Sequence, residues 1–395
     1  MGVDLERLQE LLTSQKTPER DGEGGCLPEG FTSLASGRGE VYVKEEEVTP
    51  AFPWRPEKEH ELGPLVPPEG TKLENLLFLD TETTGLGGSG VYSFLVGTAR
   101  IRRGRVELSQ WLLPNPAQEG ALLEQLQSVW SPDVVLVTYN GKAFDWPLLM
   151  DRFIINGQET LSCHFHLDLL FWVRRLLGGS LSDCRLLSVE RELLGRLRPL
   201  GMEGFEVPEA YYDYLRTGNT APLTEVVKRN RNDVLSLVEL LAQVTGYWQG
   251  ELPRGREGRI LLGMARTCEE RGQLHRALDY YRDVAGREGE YRQRLDAMTR
   301  LAFLLKRQGE TAQARYWFTR ACEHAPENPR AAVELAKFYE HQDKDYRTAR
   351  SWVLRALNAM DRRMAERWQK DLLHRLARLD RKLRGACGSK SPCTA

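Results

Sequence analysis

Leu76-Leu-Phe-Leu-Asp80-Thr-Glu82-Thr-Thr-Gly85 is the stretch on which the reading of this chain turns. Four consecutive apolar residues describe a strand buried on both faces, and the acids that follow put charge at its carboxyl end. Successive side chains of a strand point to opposite faces, so Asp80 and Glu82 project from the same face and are able to share a divalent cation. Thr83 and Thr84 then begin a turn. On spacing alone, two solvated acids at a strand end account for the pattern equally well, which makes the surrounding segments decisive.

Outward from this strand the rhythm stays that of an α/β protein. VYSFLVGTARI (91–101) and RVELSQWLL (105–113) read as two further strands of a meander. A helix is expected from Gln118 to Trp130, because Leu122, Leu123, Leu126 and Val129 recur at helical spacing ahead of Ser131-Pro132. DVVLVTYNG (133–141) is a buried strand running into a turn, followed by a helix through Trp146 to Ile155, a strand in CHFHLDLL (163–170), and helices to about Gly246. The order predicts an α/β sandwich whose strand carboxyl ends present the site. Upstream, residues 1–20 read as a short helix, Gly39 to Lys44 as a strand, and VPPEGTK from Val66 as a linker. Gly85-Leu-Gly-Gly-Ser-Gly90 lacks the Lys-Ser/Thr ending of a phosphate-binding loop and joins two strands, so it reads as a flexible hairpin.

Two more constellations carry potential chemistry. Tyr139-Asn140-Gly-Lys-Ala-Phe-Asp145 follows a strand and opens a helix, placing Asp145 where the helix macrodipole favours a carboxylate. Read alone, Asp145 serves equally as a first-turn charge and Asn140 as a turn residue. Asn230-Arg-Asn-Asp233 lies beside the apolar stripe Val234, Leu237, Val238 and Leu241 of a helix starting near Thr224. From there Asp233 either reaches a site between helix and sheet or remains a surface charge.

Taken together, DTETTGL, NGKAFDWPLL and the late NRND resemble the DEDD exonuclease pattern of the ribonuclease H-like superfamily, and at finer grain the bacterial YprB-like ribonuclease H-like domains. HLDLL (166–170), DCRLLSVE (183–190) and VPEAYY (207–212) support the likeness, which extends over most of the chain. The resemblance implies a ribonuclease H-like fold, a mixed sheet flanked by helices, and two-metal hydrolysis of phosphodiester bonds, with Asp80, Glu82, Asp145 and Asp233 as catalytic ligands of two divalent cations. Magnesium or manganese suits such all-oxygen ligands, and four crowded carboxylates require neutralising cations. Thr83, Thr84, Asn140 and Arg229 are the expected substrate-binding residues.

One position departs from the pattern. DEDD exonucleases carry a His or Tyr four residues before the last Asp, whereas this chain has Arg229. A guanidinium stays protonated and is no general base, but at this spacing it pairs with Asp233 or binds a substrate phosphate. His164 or His166 is then a candidate to orient water, with Asp168 as a partner that orients a ligand. The same histidines read equally as strand packing. The departure also leaves open a catalytically weak scaffold that binds nucleic acid or a protein.

After the linker QGELPRGREG (249–258), Gly272, Ala277 and Tyr281 recur as Gly309, Ala314 and Phe318, a shift of 37, and Ala314 recurs as Ala349, a shift of 35. Such periods indicate stacked helix pairs and resemble tetratricopeptide repeats, an all-α helical-repeat domain. Asp361 to Arg384 reads as a capping helix with nine Lys/Arg against four Asp/Glu, its Trp368 lying among Arg362, Arg363, Arg367 and Lys370. That composition fits either a solvated face or a grip on single-stranded nucleic acid. The repeats also offer a groove for a protein partner. The expected domains are residues 1–70, a helix and extended segment; 71–248, the nuclease-like domain; 257–384, the repeats; and 385–395, a disordered tail.

Charge divides in the same way. The net charge of -1 conceals 31 Lys+Arg against 20 Asp+Glu in residues 251–395, and 24 against 36 in residues 1–250. An acidic half suits a metal centre and a basic half suits a polyanion. Seven cysteines, never in a CxxC pair, predict reduced thiols without a zinc site or disulfide framework. No apolar run approaches the roughly 20 residues of a membrane span, and the start of the chain lacks the pattern of a secretory signal, so a cytoplasmic protein with nucleic acid (DNA or RNA, single-stranded) as partner is expected.

Overall fold

The computed structural model describes residues 27–49, 62, 65, 71–85, 88, 90–198, 204, 206–326, 328–360 and 362–388, with the backbone alone at 363–365 and 385–388. The helix expected over residues 1–20, most of the 66–72 linker and the end of the tail lie outside these residues. The chain forms two compact units, Met1–Glu251 and Leu252–Ala395.

The first unit is built on a seven-stranded mixed sheet. Its strands are β1 (Thr32–Ser36), β2 (Gly39–Val48), β3 (Leu76–Thr83), β4 (Ser93–Arg102), β5 (Arg105–Leu112), β6 (Val135–Thr138) and β7 (Phe165–Asp168). The spatial order is β1-β2-β5-β4-β3-β6-β7. β3, β4 and β5 form the antiparallel meander, whereas β6 and β7 run parallel to β3. The hairpin β1-β2 pairs with β5, so a segment assigned on sequence to a region before the domain extends the same sheet.

Both faces of the sheet are covered, as the unbroken apolar run of β3 demands. Leu77 and Leu79 pack in a cluster with Leu122, Leu123 and Leu126 of α1 (Glu119–Ser128), Leu149 and Phe153 of α2 (Asp145–Ile155), and Tyr211 of α5 (Val207–Thr217). Leu76 and Phe78, on the other face by alternation, are fully buried too. Between α2 and α5 lie α3 (Leu169–Leu177) and α4 (Leu186–Glu192). The long α6 (Ala221–Trp248) follows, and Pro222 in its first turn has no amide to leave unpaired.

Element ends depart from the sequence reading for local reasons. The first helix begins at Glu119 behind a 3-10 turn, Pro116–Gln118, because the Asn115 side chain accepts from Ala117 N and tightens the entry. β7 stops at Asp168, two residues short of the expected run, because the Asp168 carboxylate accepts from Leu170 N and caps α3. The 85–90 segment joins β3 to β4, with Thr84 N donating to Tyr92 O at 3.1 Å and Tyr92 N to Thr84 Oγ1 at 3.2 Å.

The second unit is all-helical: α7 (Glu257–Glu270), α8 (Leu274–Gly286), α9 (Tyr291–Arg307), α10 (Thr311–His324), α11 (Pro329–His341), α12 (Tyr346–Ala359) and α13 (Arg362–Gly388). The recurring positions are its core, since Ala277, Ala314 and Ala349, together with Tyr281, Phe318 and Val353, are all fully buried. Gly272 and Gly309 occupy the turns within the first two pairs at φ 73° and 84°, and Lys344 takes the equivalent turn of the third at φ 55°. α13 continues to Gly388, four residues past its expected end. Among the described cysteines, Cys268 and Cys322 are buried, Cys163 and Cys184 half-buried, and all four are free thiols. No helix among the described residues is long and apolar enough to cross a membrane.

Candidate metal centre

Three of the four expected carboxylates meet. Asp80, Glu82 and Asp233 each offer an oxygen within 4.8 Å of the others. The first two stand two residues apart at the end of β3, and Asp233 comes from α6, which crosses the sheet on the face they share. Asp145 approaches from elsewhere. Its helix packs on the Leu77/Leu79 face, and its Oδ1 accepts from Thr81 Oγ1 at 2.6 Å. It therefore stands outside the group of three, near enough that its charge acts on Asp80 and Glu82.

The electrostatics of the group call for a cation. Burial first, then the charges of Asp233, Glu82 and Asp145, push Asp80 well above the usual carboxylate range, while a hydrogen bond from Asn230 works the other way. Burial lifts Glu82 to about 8 against the opposing pull of Arg229. Asp145 and Asp233 are also raised by burial, the former opposed by its Thr81 hydrogen bond and the latter by Arg198 and Arg229. Glu82 Oε1 is buried and accepts no hydrogen bond among the described residues. Clustered, desolvated, oxygen-only donors with a lone pair left over fit a hard divalent cation, whose charge would favour their ionised forms.

Two guanidinium groups border the same carboxylates. Arg229 Nε lies 3.5 Å from Glu82 Oε1 and 3.8 Å from Asp233 Oδ2, as the i, i+4 spacing anticipates. Arg198, which the sequence reading overlooked, donates to Asp233 Oδ1 at 2.6 Å and also bonds Glu190. Ser236 Oγ donates to Glu190 Oε1 at 2.5 Å, tying that acid to α6. No periodic signal marks Arg198, because it lies in the irregular stretch after α4 and reaches Asp233 only through the fold.

The remaining candidates take structural positions. Asn140 adopts φ 66°, and its amide, with that of Lys142, donates to the Asp168 carboxylate at 2.8 and 3.3 Å. Asp168 thus fastens the turn that introduces α2. Gly141 completes the turn, since a Cβ there falls 2.6 Å from Thr138 side-chain atoms. Thr83 Oγ1 donates to Gly85 O at 2.7 Å, and Thr84 is engaged with Tyr92, so both threonines shape the β3-β4 turn. His166 Nε2 meets Thr138 Oγ1 at 2.9 Å and its ring stands edge-on to Trp146. Burial, then Lys142, lowers its pKa to about 4, which leaves the ring neutral. His164 is exposed, with its amide bonded to Val134 O.

Comparison with known proteins agrees with this geometry. Residues 77–245 match the family model of the RNase_H superfamily, a range that contains all four carboxylates. Over 321 residues the chain is 32% identical to the uncharacterized protein YprB of Bacillus subtilis (strain 168), covering 80% of this chain and 76% of that protein. Family match, sheet order and acidic cluster lead to one conclusion: the chain belongs to the YprB family and carries a ribonuclease H-like, nuclease-type domain in its first unit.

Proposed function

We propose that this protein is a metal-dependent nuclease that hydrolyses phosphodiester bonds, acting in the cytoplasm as a DEDD-type 3′–5′ exonuclease on single-stranded DNA or RNA. The observation that carries this reading is the convergence of Asp80, Glu82 and Asp233 within 4.8 Å in a domain of the RNase_H superfamily. In this scheme those three residues and Asp145 hold two magnesium or manganese ions. Bound there, the ions would activate water and neutralise developing negative charge. Asp145, steadied by the Thr81 hydroxyl, completes the ligand set in this reading. Arg229 binds a substrate phosphate, for which its planar fork is suited. Thr83, Thr84 and Asn140 shape the turns bordering the substrate. The tetratricopeptide-like helices, with their excess of basic residues, guide nucleic acid or a protein partner toward the domain.

The test is incubation of the full chain with end-labelled single-stranded DNA and RNA, with and without magnesium or manganese. Shortening from the 3′ end that needs metal and vanishes in Asp80→Ala supports the proposal; intact substrates with a folded sample count against it. A second reading is favoured by a specific observation: Arg198 and Arg229 both press on Asp233. On that reading the domain is a weak or inactive scaffold, and metal-independent binding of nucleic acid without turnover is the expected result.

A further inference from the structure

The polarity of one main-chain carbonyl passes through two buried side-chain amides and ends on Asp80. Gln110 of β5 and Asn230 of α6 are both 0% exposed. Gln110 Nε2 donates to Val227 O at 2.9 Å. A carbonyl accepts and never donates, so the NH2 end of Gln110 has to face it. The second hydrogen on the same nitrogen goes to Asn230 Oδ1, also at 2.9 Å. With its oxygen committed, Asn230 turns its own NH2 toward β3, donating to Asp80 Oδ2 at 2.9 Å and to Asp80 O at 3.2 Å. The arrangement leaves Gln110 Oε1 buried without a hydrogen bond among the described residues, whereas the reversed amide would set oxygen against oxygen at both contacts.

The sheet is shaped to admit this pair. Gly97 of β4 lies directly opposite Asp80, and a Cβ there would fall 2.2 Å from Asn230 Oδ1 and 2.9 Å from Asn230 Cγ. Only a residue without a side chain lets the amide sit between α6 and the strands.

We infer that Gln110 and Asn230 are positioning residues of the acidic cluster, forcing a donor onto Asp80 Oδ2 so that Oδ1 is the oxygen offered to a divalent cation. The inference rests on the cation-binding reading of that cluster. A carboxylate with one oxygen pinned meets an ion in a single orientation, and losing such outer support typically weakens metal binding by about 10- to 100-fold.

Titration calorimetry of the full chain with manganese alone tests it, alongside melting temperatures. Gln110→Met keeps the size of the side chain but removes the relay, and Gly97→Ala displaces Asn230 from the opposite side, so a misfolded sample of one variant does not decide the outcome. Leu241→Ala, at a fully buried position of α6 away from the relay, is the control for general softening. Weaker manganese binding by about tenfold or more in Gln110→Met and Gly97→Ala, with wild-type affinity in Leu241→Ala, is the expected result. Unchanged affinity in the relay variants overturns the inference, as does an equal loss in the control. If the wild-type chain binds no manganese, the metal reading itself fails and takes this inference with it.

Discussion

Arg229 is the residue at which the pattern of the chain and the geometry of the fold meet most directly. Its position one turn before Asp233 is legible from the i, i+4 spacing, and its guanidinium lies near both Asp233 and Glu82. A permanently charged guanidinium is suited to binding a phosphate and is no general base. Arg229→His places a titratable ring at that point, and cleavage of single-stranded oligonucleotides is expected to rise by about tenfold or more, a modest share of what general-base assistance contributes. Rates indistinguishable from wild type in a steady-state assay would favour the scaffold reading. Asp80 and Glu82 needed no tertiary information, because strand alternation alone puts them on one face. Arg198 and Gln110 were invisible, since an arginine in an irregular stretch and a glutamine in a strand acquire meaning only from what the fold sets beside them.

At the scale of elements, end points and caps do work that apolar periodicity does not reveal. Asp168 reads in sequence as a partner that orients a ligand, and in the fold its carboxylate accepts from Leu170 N, Asn140 N and Lys142 N, capping the start of α3 and fastening the turn before α2. Asp168→Ala strands three donors, so a loss of about 1–3 kcal/mol in urea unfolding is expected. A wild-type midpoint in that titration would refute the structural role. In the second unit Glu340 of α11 is fully buried and is met by Arg375, Arg378 and Lys382 of α13. Burial opposes its ionisation, but the hydrogen bonds from Arg378 and Lys382 prevail and hold the carboxyl at about 2. A depressed carboxylate contributes stability above its unfolded pKa of 4.5 and loses it as pH falls through about 2. Glu340→Ala is expected to cost about 3 kcal/mol at neutral pH, because three cations lose their shared partner. Helical signal at residues of α13 followed by hydrogen exchange checks it, and unchanged protection there would contradict the docking role.

For the whole molecule, the acidic cluster is a source of pH-dependent instability, which a bound cation is expected to offset. Burial raises the carboxyls of Asp80, Glu82, Asp145 and Asp233. A group whose folded pKa is raised contributes stability in full below its unfolded value and loses it as pH rises through the folded value; for Glu82 that window runs from 4.5 to about 8. The first unit in chelator is therefore expected to melt at progressively lower temperature across this range, and magnesium or manganese to restore it by binding the folded state alone. Differential scanning fluorimetry over the same window checks the sign, and a metal-free melting temperature that climbs with pH would reverse the assignment.

The chain by itself determined the α/β sandwich, the pairing of Asp80 with Glu82 and the helical repeats, because alternation, 3.6-residue periodicity and a 35–37-residue recurrence are properties of neighbouring positions. Tertiary structure decided the rest. It brought Asp233 to the pair, held Asp145 to Thr81, and aimed the Gln110–Asn230 amides at Asp80. Those contacts join residues from 64 to 153 positions apart in sequence or from different strands and helices, and only the packing of α2 and α6 on the two faces of the sheet specifies which side chains share a dry, charged space.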